Sequence, residues 1–165
     1  MQSSRQEQFN RIAAELGYSF EGEIRIGGRY VSVVAHERTV YVSGQLPRVG
    51  DTVIATGRVG AETTLEQAQR GAQVSVLRAL ALLRQSLGSL DRIERILRVG
   101  VYVQSAPDFV AQSEVADAAS DVLYAVLGPA GSHTRTSVGV YQLPKNAAVE
   151  IDLVASATAG AGDGA

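Results

Sequence analysis

The spacing of apolar residues changes along the chain, and each change predicts an element. In residues 4–17 apolar side chains recur at helical spacing, and Ser4 with Glu7 three positions later has the form of an N-terminal capping box. Gly17 then supplies a helix stop. We therefore predict a short amphipathic helix in residues 1–17, ahead of a single domain over residues 18–156.

Residues 18–62 switch to runs of β-branched and aromatic residues, "YVSVVA" and "TVYVSG", separated by glycine-containing turns. They predict two or three antiparallel strands. The following segment, "TTLEQAQRGAQVSVLRALALLRQSLG", predicts a long helix that begins with a capping box of Thr63 and Glu66 and ends at Gly88. Leu83 belongs to its apolar stripe.

The segment "RILRVGVYVQ" alternates, with Leu97 and Val99 among the residues expected on the buried face of a strand. A second long helix is predicted next, with Pro107 in its first turn and Gly128 at its end. The Gly- and Ala-rich residues 157–165 are expected to form a loose tail.

Residues 135–151, "RTSVGVYQLPKNAAVEI", read as a β-hairpin connected by "LPKN". If Val138, Val140 and Ile151 face the helices, then Arg135 and Glu150 converge on the opposite face of the sheet. On spacing alone, such a pair is a surface ion pair that contributes little free energy. The elements together predict an α+β fold, a mixed sheet with two long helices on one face.

Composition limits the classes of function. A chain of 165 residues with 45% hydrophobic content forms one ordinary domain, and a net charge of −2 disfavours nucleic-acid and membrane partners. There is no cysteine, and two separated histidines, His36 and His133, make no metal site. The beginning of the chain lacks a secretory signal and no long apolar run follows. We expect a cytoplasmic protein that needs no cofactor.

From Tyr30 to Ile151 the chain resembles the reactive-intermediate deaminase family, also called Rid, YjgF-like or endoribonuclease L-PSP. The resemblance rests on "RYVSVVAHERTVYVSGQLP", on "VYVQSAPDF", and most strongly on "RTSVGVYQLPKNAAVEI", in which the arginine, the LP pair and the glutamate have the family's spacing.

This resemblance implies a chorismate-mutase-like fold and a homotrimer whose three sheets form a central barrel, with a cleft at each subunit boundary. It also implies hydrolysis of 2-imino acids or enamines to 2-keto acids and ammonia, without a metal or organic cofactor. In this role Arg135 would bind the substrate carboxylate and Glu150 would position or activate water. Tyr30, Ser43, Gly44 and Ser137 would complete the cleft.

Two positions differ from the family pattern. Ser137 stands where many relatives have cysteine, and Pro107 replaces an asparagine common in active deaminases. The N-terminal helix and the longer connection "RVGDTVIATGRVGAE" resemble a variant subgroup. A protein that binds a small carboxylate without turnover is therefore an alternative. A ribonuclease is disfavoured by the low charge, and a chorismate mutase by the lack of a second arginine for its substrate's other carboxylate.

Overall fold

The structure, a computed structural model, describes residues 3–159. Its helices and strands are, in chain order, α1 (Arg5–Leu16), β1 (Val33–His36), β2 (Thr39–Gln45), β3 (Arg48–Val49), β4 (Thr52–Val53), α2 (Leu65–Leu87), β5 (Ile93–Gln104), α3 (Gln112–Leu127), β6 (Thr134–Val140) and β7 (Val149–Ala157). Short 3₁₀ turns occupy Leu90–Arg92, Gly128–Gly131 and Pro144–Asn146.

Five strands form one mixed sheet in the order β1-β2-β7-β5-β6, and β3 pairs with β4 in a separate small hairpin. Strand β5 runs antiparallel to β7 and parallel to β6. Helices α2 and α3 pack against each other on one face of the sheet, and α1 lies against both. The buried side chains of α2, β5 and β7 make the core between the layers. The predicted α+β fold is confirmed.

The predicted hairpin of residues 135–151 is wrong. Strands β6 and β7 are not neighbours, because β5 lies between them. At the end of β5 the N–H of Ser105 donates to Val140, the last residue of β6, while the N–H of Gln104 donates to Ala148, just before β7. The "LPKN" connection therefore crosses over the end of β5 instead of joining two paired strands.

The predicted faces of β6 are also reversed. Arg135 and Ser137 are registered with the buried residues Val99 and Val101 of β5, so they lie on the helix side of the sheet. Val138, which was expected in the core, is 41% exposed on the open face, and Val140 is only half-buried. Alternation along a strand defines two sets of side chains, but it does not say which set faces inward.

A bulge in β5 corrects another expectation. The pairing of β5 with β7 shifts register between Ile96 and Arg98, which leaves Leu97 between them. Ile96 is fully buried, whereas Leu97 is 39% exposed. One extra residue in a strand changes the face on which the next side chains lie, and strict alternation does not anticipate it.

Helix α1 has the capping box predicted from Ser4 and Glu7, and Gly17 ends it in the left-handed conformation. Arg5 joins this helix to the domain, because its Nη1 donates to the carbonyl oxygens of Leu90 at 2.9 Å and Ile93 at 2.7 Å.

The first turns of the two long helices differ from the prediction. The capping box of α2 is made by Thr64 and Gln67, one residue later than predicted, because Thr63 donates its hydroxyl to the carbonyl oxygen of Thr56 instead. Helix α3 begins only at Gln112, so Pro107 lies in the preceding turn and not in the helix.

The end of the chain continues the sheet further than expected. Ala157 is the last residue of β7, and its N–H donates to the carbonyl oxygen of Arg38 at 2.8 Å. Most of the predicted tail, residues 160–165, lies outside the described residues. Within residues 3–159 no helix is both long enough and apolar enough to cross a membrane.

Replacing Leu83 by alanine should destabilise the protein, because this side chain of α2 is fully buried in the hydrophobic core. We expect a loss of about 2–5 kcal/mol in the free energy of unfolding, measured by urea denaturation. Val110→Ala is the matched control, since Val110 is 85% exposed and its truncation should change stability by about 0.5 kcal/mol or less. Equal effects of the two variants would contradict the core described above.

Candidate functional site

Glu150 projects from β7 onto the sheet face that no helix covers. Its backbone is registered with Tyr102 of β5, and its carboxylate lies against the backbone of Gly44. Gly44 occupies an irregular segment of β2, where the pairing with β7 shifts register. A Cβ atom at Gly44 would overlap the Glu150 carboxylate, so a side chain there would displace the acid. The glycine therefore provides the space that Glu150 occupies.

The surroundings of Glu150 raise its pKa. Burial, and to a smaller extent the negative charge of Asp152, raise the pKa of the Glu150 carboxyl above its ordinary value. Asp152 lies on the same face, 3.5 Å from the hydroxyl of Tyr102, and its charge is the main reason that the pKa of this tyrosine is raised. No lysine or arginine within residues 3–159 forms an ion pair with Glu150.

Glu150 opens into a cavity of about 250 Å³. The structure brings three of the residues predicted from sequence together in its wall: Tyr30, Gly44 and Glu150. Ser43 does not line this cavity, although it is next to Gly44. Its backbone N–H donates to Ser32 at 2.9 Å, and its carbonyl oxygen accepts from the Gln45 side chain at 3.0 Å, so its backbone groups are already paired.

Arg135 lies elsewhere, against helix α3. Its Nη1 donates to Asp117 Oδ1 and to Ser120 Oγ, each at 2.9 Å. His133 Nδ1 is 2.6 Å from the carbonyl oxygen of Gly131, so Nδ1 carries the proton and Nε2 accepts from Ser120 Oγ at 2.9 Å. Ser120 thus links His133 to Arg135, and the guanidinium is held in place by helix α3.

Ser137 is the sixth predicted site residue. It follows Arg135 on the same side of β6, and its Oγ lies 3.4 Å from Ser113 Oγ at the start of α3. Arg135 and Ser137 therefore share one environment, between β6 and α3.

The predicted ion pair between Arg135 and Glu150 is not formed within the chain. Arg135 is registered with Val99 of β5 and Glu150 with Tyr102, on opposite sides of that strand. Two strand spacings across the sheet and three residues along it separate their backbones by roughly 14 Å, and their side chains leave opposite faces of the sheet. Arg135 pairs with Asp117 instead. One chain therefore carries two separate parts of the candidate site.

Sequence reasoning missed the cations of the cavity. Arg25, Arg48, Arg78 and Lys145 all line it, and they come from four distant parts of the chain. The available signal was Arg78, an arginine inside the apolar run "VLRALALL" of α2. A chorismate mutase was disfavoured from the sequence because no second arginine was found. This reason is wrong, because three arginines line the cavity. Within residues 3–159 no cluster of His, Asp or Glu is arranged to hold a metal ion.

Comparison with known proteins agrees with this architecture. The family model described as endoribonuclease L-PSP matches residues 21–157. Protein TCP17 of Trypanosoma cruzi is 39% identical over 148 residues, covering 87% of this chain and 92% of that protein. The crystal structure of Atu1372 from Agrobacterium tumefaciens, a protein of unknown function, superposes with a TM-score of 0.82 at 34% identity, covering 93% of this chain and 94% of the other.

A more distant structure shares the fold alone. E. coli TdcF, solved with bound serine, superposes with a TM-score of 0.59 at 22% identity, covering 81% of this chain and 91% of the other. The family match spans most of the chain, and the TCP17 identity extends over nearly its full length. The chain therefore belongs to the endoribonuclease L-PSP family, whose members are also known as YjgF or Rid proteins.

Proposed function

We propose that the protein hydrolyses 2-imino acids, or their enamine tautomers, to 2-keto acids and ammonia. Water adds to the C=N carbon while the imine nitrogen gains a proton. The resulting carbinolamine then forms the C=O bond and releases ammonia. Neither oxidation nor reduction takes place, so the reaction needs one group to manage protons and one group to orient the substrate.

The observation that carries this proposal is the state of Glu150. It is a half-buried carboxyl without an ion-pair partner among the described residues, it lines a cavity, and its pKa is raised. A raised pKa brings a carboxylate closer to the range in which it can take a proton from water and return it to a leaving amine. Carboxyl groups with a pKa perturbed by burial, placed at a cavity, are typical of functional sites.

Arg135 is proposed to bind the substrate carboxylate. A guanidinium donates two parallel hydrogen bonds to a carboxylate, which fixes the adjacent imine carbon in one orientation. Asp117 and Ser120 hold only Nη1 at 2.9 Å, while the Nη2 contact with the carbonyl oxygen of Ser113 is long, at 3.5 Å. Part of the guanidinium therefore remains available to a ligand.

Because Arg135 and Glu150 lie on opposite faces within one chain, we propose that the working site joins Arg135 of one subunit to Glu150 of the next, in a homotrimer. The open sheet face supports self-association. Val34, Tyr41 and Val138 lie on this face and are each between 41% and 50% exposed. Large apolar side chains clustered on a sheet face favour association between copies.

The bound serine of E. coli TdcF also supports a small ligand with a carboxylate, since a relative of this fold holds an amino acid. The family's name suggests RNA cleavage instead. That reaction commonly uses a pair of acid and base groups at the phosphodiester, whereas the two histidines here are distant in sequence, and His133 is bonded to Ser120 and Gly131. The imine hydrolase therefore fits the described residues better.

Arg135→Lys should lower kcat/KM for 2-imino acids by about ten- to a hundredfold, because lysine keeps the positive charge but cannot donate two parallel hydrogen bonds to the carboxylate. The decay of enzymatically generated 2-imino acids measures turnover. Arg11→Lys is the matched control, since Arg11 is an exposed arginine that also pairs with an acid, Glu15, but lies on helix α1 and not on the sheet. Equal loss in both variants would argue against a specific role for Arg135.

Glu150→Gln separates a hydrolase from a protein that only binds. In a hydrolase the variant should still bind 2-keto acids, measured by calorimetry, while its turnover falls by about a hundredfold or more. If the unmodified protein binds 2-keto acids but does not accelerate imine decay, the protein is a carboxylate-binding member of the family. Unchanged turnover in the glutamine variant would exclude Glu150 as the group that handles protons.

Mixing the two inactive variants tests the composite site. Trimers assembled from equal amounts of Arg135→Lys and Glu150→Gln chains, refolded or expressed together, should contain about one quarter intact sites, because each cleft draws its two residues from different chains. We expect about one quarter of the unmodified activity, and a mass three times that of one chain by light scattering. No recovery of activity, or a stable monomer, would show that the site is not shared in this way.

The pH dependence of turnover should reflect the raised pKa of Glu150. The carboxylate is the active base, so kcat/KM should fall as the pH drops through a pKa above the ordinary glutamate value. Asp152→Asn removes one negative charge that raises this pKa, so the acid limb should move to lower pH. An acid limb that stays in place in this variant would mean that another group controls the profile.

A further inference from the structure

The cavity beside Glu150 has an excess of positive charge. Arg25, Arg48, Arg78 and Lys145 line it, and within residues 3–159 Glu150 is the only acidic residue of the lining. This contrasts with the whole protein, which has a net charge of −2. The proposed hydrolysis uses Glu150 and Arg135 but gives these four cations no role.

Arg78 is the most unusual of the four. It projects from the buried face of α2 and is only 7% exposed. Its Nη1 donates to the carbonyl oxygen of Arg48 at 2.7 Å, but its Nε is buried and has no hydrogen-bond partner within residues 3–159. It forms no ion pair with any described carboxylate. A buried cation without an anion is costly, so such an arrangement calls for a ligand that supplies one.

The other arginines are arranged around the same space. Arg48 is half-buried, and its Nη2 donates to the carbonyl oxygen of Arg25 at 2.5 Å, which ties the segment carrying Arg25 to the cavity. The charge of Arg48 is close enough to Arg78 to lower its pKa, after the larger effect of burial, to about 10. Arg78 therefore remains charged at neutral pH, and its guanidinium and that of Arg48 repel each other.

Lys145 also lines the cavity, in a backbone conformation with φ of 60° that residues other than glycine seldom adopt. The turn around it is held by Asn146, whose carbonyl oxygen accepts from the N–H of Gly57 at 2.9 Å and whose Oδ1 accepts from Gln104 at 2.7 Å. The surrounding hydrogen bonds thus keep the lysine at the cavity.

Glu150 does not neutralise these cations. A nearby positive charge would lower the pKa of a carboxyl, yet the pKa of Glu150 is raised, by burial and by Asp152. No described ion pair joins Glu150 to Arg25, Arg48, Arg78 or Lys145, so these cations remain available to an anionic group of a ligand.

We propose that Arg78, Arg48 and Arg25 form a subsite for a second anionic group, so that the preferred ligand carries one carboxylate for Arg135 and another carboxylate or a phosphate for this subsite. The proposal rests on the hydrolase function proposed above and narrows its substrates to acids with two anionic groups. Guanidinium groups suit both carboxylate and phosphate oxygens, because each offers several donors in one plane.

Calorimetric titration with three probes tests the subsite. Pyruvate carries one carboxylate, 2-oxoglutarate carries two, and 3-phosphoglycerate carries one carboxylate and one phosphate. We expect 2-oxoglutarate or 3-phosphoglycerate to bind at least about tenfold more tightly than pyruvate. The tighter-binding probe shows whether the second anionic group is a carboxylate or a phosphate. Equal affinity for all three probes would overturn the subsite.

Arg25→Ala and Arg78→Lys should each reduce the preference for the dianionic probe over pyruvate by about tenfold. Arg25 is exposed, and no described hydrogen bond uses its side chain, so its loss should leave the fold intact, as thermal unfolding can check. Arg29→Ala is the matched control, because it removes an exposed arginine from the same segment outside the cavity lining. A preference that survives in Arg25→Ala and in Arg78→Lys would contradict the assignment.

The two proposals fail in different ways. Accelerated decay of 2-imino acids without any preference for a second anionic group would keep the hydrolase and reject the subsite. A preference for dianionic probes without imine turnover would keep the subsite and reject the hydrolase. A fluorescent RNA oligonucleotide tests the ribonuclease alternative. If it competes with 2-oxoglutarate and is cleaved, the cations bind RNA and the subsite as proposed is wrong.

Discussion

The parallel pairing of β5 with β6 determines where the candidate site residues lie. Parallel neighbours cannot be joined by a tight turn, so the chain leaves β5, passes through α3 and re-enters the sheet at its edge. This crossover places Arg135 beneath the helix that has just been formed, where Asp117 and Ser120 bind it. It also leaves β7 on the other side of β5, and Glu150 on the face that the helices leave open.

Much of the fold could be predicted from local sequence. The capping of α1 and the apolar stripe of α2 depend on neighbours three or four residues apart, and such patterns are visible in one segment. The order of strands in a sheet depends on distant pairings, which no segment reveals. "LPKN" has the composition of a hairpin turn, but its flanks bond to two sides of β5, through Val140 and Ala148. The wrong hairpin and the reversed face of β6 follow from this single error.

In the candidate site, too, features carried by one segment were predicted and features that depend on distant segments were not. Tyr30, Gly44 and Glu150 line one cavity, whereas Arg135 contacts α3 and not Glu150. The cavity cations were missed because they come from separate segments, and no spacing rule connects Arg25 with Arg78. An arginine inside an apolar helix is the one local sign, since burial of an unpaired charge is rarely tolerated without a function.

Burial disfavours the charged forms of both Glu150 and Arg78, because it raises the pKa of the glutamate and lowers that of the arginine to about 10. Direct pairing of the two would relieve this cost, but no such pair is formed among the described residues. A ligand anion at the arginines would compensate Arg78 and leave Glu150 free for proton transfer. Binding energy gained far from the reacting carbon could then serve to orient that carbon, which is how remote contacts contribute to catalysis.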